Sequence, residues 1–167
     1  MGKSLMFDTL IVEDFFSKEE VLSIFSTVKN LNFVNPNFHL KVLSFDIDGF
    51  IERSKQKVES LYNTKVIALK GLSMIRYDVG DSIGSHQDFE DFYEDKNDFK
   101  PIVSLIFYIN DDYEGGELCI GSRDKSKVFL KLKPRSGTAI IFDAEHFHWT
   151  EPVISGTRFS YTAFYKI

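Results

Sequence analysis

Cysteine is almost absent from this chain: Cys119 is the single one in 167 residues. No internal disulfide can form, which suits a reducing compartment. Long apolar runs are also missing. No stretch approaches 18 uninterrupted apolar residues, so no transmembrane helix is expected. The opening MGKSLMFDTLIVEDFF has no basic region leading into a long apolar run, which gives the expectation of no secretory leader. Met6 stands where a myristoylation pattern needs Ser or Thr. Together these absences set the expectation of a cytoplasmic protein. A positive charge balance is lacking too, with 20 Lys and Arg against 25 Asp and Glu, a net charge of −5. Non-specific attraction to nucleic acid or an anionic membrane is therefore not favoured. There is no internal repeat, linker or low-complexity tract.

What is present suits a soluble globular protein: 43% apolar and 27% charged residues. One domain over residues 1–167 is the expectation for this length, with 1–64 as a helical lead-in and 65–167 as a β core. The 17 Phe suggest a core built on aromatic packing. Residues 7–12 read as a short strand. Ser17 follows as a helix N-cap, with Glu20 at the third helical position completing a capping box. Phe16 and Val21 flank the cap as a hydrophobic staple. Val21, Ile24, Phe25, Val28 and Leu31 recur at helical spacing. A second helix is expected over about 48–62, with the stripe Phe50, Ile51, Ser54, Val58, Leu61 and Tyr62. Short apolar runs then alternate with Gly, Asp, Asn and Pro. Strands are expected at 65–69, 72–77, 101–109, 117–120, 128–132, 137–142 and 158–166. Helices first and short strands afterwards indicate α+β, mostly β, with the helices packed on one sheet of a sandwich or barrel.

Three separated residues carry the chemistry. His86 and Asp88 stand two apart, and in extended chain such residues project to one side. Gln87 then faces away. His148 arrives from a distant segment, and Arg158 follows ten residues later. Two imidazoles and one carboxylate can occupy one face of an octahedral ferrous ion, leaving adjacent positions for a chelating co-substrate and dioxygen. Zinc accepts the same donors. An isolated His-x-Asp arises often by chance, and its plain reading is a surface strand; the joint pattern is what carries weight. His146 competes for the third place, since both histidines lie in FDAEHFHWTEPV. His148 is preferred only because its distance to Arg158 matches a spacing that recurs in the enzyme family this stretch resembles. His39 reads as a surface or packing residue. On the final strand Arg158, Ser160 and Thr162 share one face, opposite Phe159, Tyr161, Ala163 and Tyr165. An arginine on an inward polar face suits an anion pocket, because charges are seldom buried unpaired.

Over residues 72–166 the sequence resembles the Fe(II)/2-oxoglutarate-dependent oxygenases, in their prolyl 4-hydroxylase-like branch. MIRYDVGDSIGSHQDF looks like the branch's Tyr-x-x-Gly segment leading into His-x-Asp. PIVSLIFYINDDYEGGEL is similar to its strand, Tyr-Leu-Asn turn and Gly-Gly-Glu-Leu step. KPRSGTAIIFDAEHFHWTEPVISGTRFSYTAFY looks like its closing stretch. The resemblance implies a double-stranded β-helix, or jelly roll, with supporting helices. It implies His86, Asp88 and His148 as ligands of Fe(II), and Arg158 as the partner of the C5 carboxylate of 2-oxoglutarate. Tyr108 matches a tyrosine that can hydrogen-bond the same carboxylate, and Tyr77 one that lines the co-substrate pocket. Both tyrosines also read as plain core aromatics. Gly115-Gly116 reads as a turn, and Trp149 as packing or pocket wall.

The implied reaction consumes 2-oxoglutarate and dioxygen, releases succinate and carbon dioxide, and hydroxylates a C–H bond of a peptide, possibly at proline, or of a small molecule. No side-chain general base is needed, which fits the lack of a Ser/His/Asp or Cys/His arrangement. Two features depart from the branch. Ile83, Gly84 and Ser85 replace an aromatic and a proline, and arginine stands where many members use lysine. Arginine keeps the chemistry through a bidentate fork. Two other readings are a nucleic-acid demethylase and a non-catalytic metal-binding jelly roll or isomerase. The first typically has a second arginine six residues after the first, where this chain has Phe164. The acidic, aromatic stretch 89–100, directly after Asp88, is expected to form a lid over the substrate; its plain reading is a solvated loop.

Overall fold

The computed structural model describes residues 9–33, 41–43, 49–69, 73–88 and 102–167, the side chains of 41–43 excepted. The stretch 89–100 and His39 lie outside the described residues. The chain begins with β1 (Leu10–Val12), α1 (Lys18–Val28), β2 (Lys41–Leu43), α2 (Phe50–Tyr62) and β3 (Ile67–Ala68). It continues through β4 (Ser73–Tyr77), β5 (Ile83–His86), β6 (Ile102–Tyr108), β7 (Glu114–Gly115) and β8 (Leu118–Gly121). It ends with β9 (Val128–Leu132), β10 (Ala139–Asp143), β11 (Phe147–Thr150), β12 (Val153–Ser155) and β13 (Arg158–Lys166).

Local chemistry sets the helix boundaries. Ser17 Oγ accepts from the Glu20 amide at 3.3 Å, and Glu20 Oε2 accepts from the Ser17 amide at 2.7 Å. Two of the donors that every helix start leaves orphaned are thus satisfied. The helix buries Val21, Ile24 and Val28. The second helix buries Phe50, Ser54 and Val58, and Asn63 closes it in the left-handed region at φ 50. Leu61 departs from the expected stripe and is 45% exposed, while Tyr62 packs against the core instead. Successive residues on a helix lie about 100° apart, so only one of these two neighbours can continue the buried face.

The strands form two facing sheets, the double-stranded β-helix expected. The main sheet has seven strands in the order β1-β10-β6-β13-β4-β2, with β3 also paired to β13. The smaller sheet has four in the order β5-β11-β8-β9, and β12 pairs with β7. The lead-in is not purely helical, because β1 and β2 close the two ends of the main sheet. β2, β5, β7, β11 and β12 add to the expected strands. All seven residues of β6 are buried, as befits a central strand covered on both faces.

β13 shows the expected alternation. Phe159, Tyr161, Ala163 and Tyr165 face the helices, in one core with Val21, Ile24, Phe50, Val58 and Phe107. Rings dominate here: Phe50 meets Tyr161 at 4.0 Å between centroids and Phe107 at 5.3 Å. A polar pin ties the layers together, because Ser54 Oγ lies 2.5 Å from the Tyr165 hydroxyl. The opposite face of the sheet meets the smaller sheet through Ile106, Tyr108, Leu118, Ile120, Ile140 and Phe142. Arg158 and Ser160 point into that inner space.

Candidate metal centre and anion pocket

His86 is the last residue of β5, and His148 is its register partner on β11. Asp88 lies just past the strand, held by its amide donating to the Ala144 carbonyl at 3.0 Å. His86 Nε2 is 3.2 Å from Asp88 Oδ1, and His148 Nε2 is 3.4 Å from Asp88 Oδ2. One donor atom from each residue falls within 4.8 Å of the other two. His146 is not in this group among the described residues.

The outer atoms of the triad are also fixed. His86 Nδ1 lies 2.9 Å from the Gly84 carbonyl and His148 Nδ1 lies 3.0 Å from the His146 carbonyl. In a neutral ring Nδ1 is then the proton-bearing nitrogen, and Nε2 presents a lone pair inward. Ser104 on β6 donates to Asp88 Oδ2 at 2.7 Å. Phe142 packs edge-on against His148, 4.8 Å between centroids. Sequence reasoning missed Ser104, since a serine inside PIVSLIFY carries no signal of its own. His146 contributes a backbone carbonyl rather than its ring.

Protonation matches a cation site. Burial raises the Asp88 pKa, but the His86 hydrogen bond, the nearby His148 and the Ser104 hydroxyl outweigh it and hold the carboxyl below its usual value. Burial lowers the His148 pKa and keeps its ring neutral. An ionised carboxylate and a neutral imidazole are the forms that a divalent cation binds.

The anion pocket is built on the main sheet. Arg158 opens β13, is 1% exposed, and is the register partner of Tyr77 on β4. Its Nη1 donates to the Gly116 carbonyl at 3.1 Å and its Nη2 to the Tyr108 hydroxyl at 3.3 Å. Its Cζ sits 4.5 Å over the Tyr77 ring and 4.8 Å from the Tyr108 ring centre. Gly115-Gly116 is thus more than a turn, since Gly116 holds the guanidinium. Trp149 is a packing residue, 2% exposed, with its indole N–H donating to Glu151 at 2.9 Å. Burial raises the pKa of both Tyr77 and Tyr108, so both phenols stay protonated.

This donor set fits a ferrous ion with a chelating dicarboxylate. The triad supplies two imidazole nitrogens and one carboxylate on one side of a point. In the pocket, Arg158 Nε and Ser160 Oγ are buried without a hydrogen-bond partner among the described residues. Buried polar groups are rarely left so, and a bound anion is a partner that would satisfy such donors.

The family model of the 2OG-Fe(II) oxygenase superfamily matches residues 72–166. The chain belongs to that superfamily, whose name states its metal and its co-substrate. Among curated relatives, a PKHD-type hydroxylase of Gloeothece citriformis is 35% identical over 103 residues, covering 59% of this chain and 44% of the relative. A probable prolyl 4-hydroxylase of Arabidopsis thaliana is 27% identical over 117 residues, covering 56% of this chain and 41% of the relative. The chain therefore spans less than half the length of these relatives. Among solved structures, the viral collagen prolyl hydroxylase of Paramecium bursaria Chlorella virus-1, in its 2OG complex, superposes with a TM-score of 0.72 at 20% identity. That match covers 95% of this chain and 94% of the viral one. HygX of Streptomyces hygroscopicus, bound to nickel, 2-oxoglutarate and hygromycin B, gives 0.72 at 17% identity, covering 95% and 82%. At these identities the likeness shows the fold.

Proposed function

We propose that this chain is an Fe(II)- and 2-oxoglutarate-dependent dioxygenase that hydroxylates a C–H bond of a peptide or small molecule. Succinate and carbon dioxide are the co-products. The observation that carries the reading is the pairing of two sites in one inter-sheet space. A His86/Asp88/His148 triad faces inward from one side, and a buried Arg158, its Nε without a partner among the described residues, stands on the other.

His86, Asp88 and His148 hold the iron through two Nε2 atoms and one carboxylate oxygen. Arg158 and Tyr108 bind the C5 carboxylate of 2-oxoglutarate, and Tyr77 walls the pocket. The iron, when bound, supplies the activation of dioxygen and the oxidative decarboxylation of the co-substrate. The protein fixes ligand geometry and keeps water from the anion pocket. The two imidazoles differ in exposure. The His86 side chain is 38% exposed, against 5% for His148, so the prime substrate approaches past His86.

For the prime substrate, prolyl residues in a polypeptide come first, because curated relatives carry that activity in their names. Small molecules come second, given HygX and its hygromycin B. The single buried cysteine suits an intracellular, reducing setting.

The test is a screen of prolyl peptides and small molecules with Fe(II), 2-oxoglutarate and dioxygen. Substrate gaining one oxygen mass, with stoichiometric succinate, is the expected result. No succinate above a His148→Ala control, with any substrate or without one, would refute the reading.

A further inference from the structure

Tyr113 lies in the turn before β7, is 2% exposed, and has a hydroxyl with no hydrogen-bond partner among the described residues. Its ring and its carbonyl both already have a partner in Lys133. Lys133 Nζ sits 4.8 Å from the ring centre, and the same amine donates to the Tyr113 carbonyl. A phenylalanine would make the same ring contacts without burying an unpaired hydroxyl. This chain uses 17 Phe and 7 Tyr, so packing alone does not call for tyrosine here.

The place of the ring decides what the hydroxyl faces. A Cβ erected on Gly116 would lie 3.2 Å from Tyr113 Cε2 and 3.4 Å from Arg158 Cδ. The ring edge next to the hydroxyl and the Arg158 stem therefore border one small space above Gly116. The Gly116 carbonyl already accepts from Arg158 Nη1. Arg158 Nε and, two residues along the same strand opposite Tyr108, Ser160 Oγ also lack hydrogen-bond partners among the described residues. Orphaned polar hydrogens gathered at one buried guanidinium share a single remedy, an acceptor with several lone pairs. Burial pushes the Tyr113 phenol up to about 12, so it is a donor at any physiological pH.

We propose that Tyr113 donates its hydroxyl hydrogen to the distal carboxylate of the bound co-substrate, beside Arg158 and Tyr108, and so enforces selection of a dicarboxylate. This rests on the reading of Arg158 as the co-substrate anchor. Tyr113 is a binding residue for the far end of that molecule and takes no part at the metal.

The test is calorimetric titration of oxygen-free, Mn(II)-loaded protein with 2-oxoglutarate and with pyruvate, which lacks the distal carboxylate. The variants are Tyr113→Phe and, as a control, Arg158→Ala. Tyr113→Phe should weaken 2-oxoglutarate about ten-fold or more, the scale of one hydrogen bond to a charged group, and leave pyruvate unchanged. Its metal-free melting temperature should equal or exceed the parent's, since an unsatisfied hydroxyl has gone. An unchanged 2-oxoglutarate constant, or an equal loss for both ligands, overturns the role of Tyr113 while leaving the anchor in place. A parent that binds no 2-oxoglutarate, or an Arg158→Ala variant that binds it normally, sinks the anchor reading and this inference with it.

Discussion

His86 and His148 stand directly opposite each other on the antiparallel β5–β11 pair, their ring centroids 4.2 Å apart. Cross-strand partners have Cβ atoms about 4.5–5.5 Å apart, so two imidazoles in register can meet one ion, with the ladder shifting register just beyond, between His148 and Thr150. The third donor needs no strand at all. Asp88 sits past the end of β5 and is aimed by Ser104 from the other sheet.

The first prediction separates the two neighbouring histidines. His148→Ala should abolish turnover and sharply weaken metal binding. His146→Ala should keep the iron, because its backbone carbonyl still accepts from His148 Nδ1. Metal content after dialysis against Fe(II) checks both. Retention by His148→Ala with loss by His146→Ala reverses the assignment.

Arg158 makes a graded prediction. A charge-assisted contact is worth about 1.5–3 kcal/mol, so Arg158→Ala should raise the 2-oxoglutarate requirement roughly ten-fold to a hundred-fold. Arg158→Lys should fall between parent and alanine, since it keeps the charge and loses the fork. Saturation curves at fixed Fe(II) read this directly. An unchanged 2-oxoglutarate dependence in the alanine variant removes the anchor role.

Ser104→Ala tests the support behind the carboxylate. The substitution removes the 2.7 Å hydrogen bond to Asp88 Oδ2 and leaves the β6 backbone pairing intact. Loss of such supporting bonds typically costs about 10–100-fold in metal affinity or activity. Competition against a metal-indicator dye is the measurement, with the far-ultraviolet spectrum as a check on folding. Parent-like affinity would leave Ser104 as filler.

A pH prediction comes from the turn between β8 and β9. The hydroxyl and amide bonds from Ser122 and Ser126 lower the Asp124 pKa from 3.8 to about 2. A folded-state value below the unfolded one means that the stabilisation is complete above about pH 4 and fades as pH falls through about 2. The melting-temperature gap between parent and Asp124→Asn should therefore be constant at neutral pH and close on acidification across that window. A gap that widens towards pH 2 has the wrong sign for this mechanism.

The sequence disclosed some elements far better than others. β13 was legible because its Phe159, Tyr161, Ala163 and Tyr165 alternate with polar residues over nine positions. α1 was legible because Ser17 and Glu20 mark its start. β5 and β11 carry the triad histidines, and for that reason they read poorly. Gly84, Ser85 and His86 in one, and His148 and Thr150 in the other, interrupt the apolar run that announces a buried strand. β2, β7 and β12 have only two or three residues, too few to show a period. His86, Asp88, His148 and Arg158 stood out through their spacing together with the family motifs that this stretch resembles. Ser104, Gly116 and Tyr113 did not, because their parts depend on what the fold sets beside them.

The two sheets divide the centre between them. The paired imidazoles ride on the small sheet, while Arg158, Tyr77 and Tyr108 ride on the large one. The separation of the two halves is then a mechanical quantity, set by the thickness of the layer formed by Ile106, Leu118, Ile120, Ile140 and Phe142. That layer works as the gauge block of a caliper. Its side-chain volumes set how far apart the jaws stand, so a change of volume within it would move one half of the site against the other.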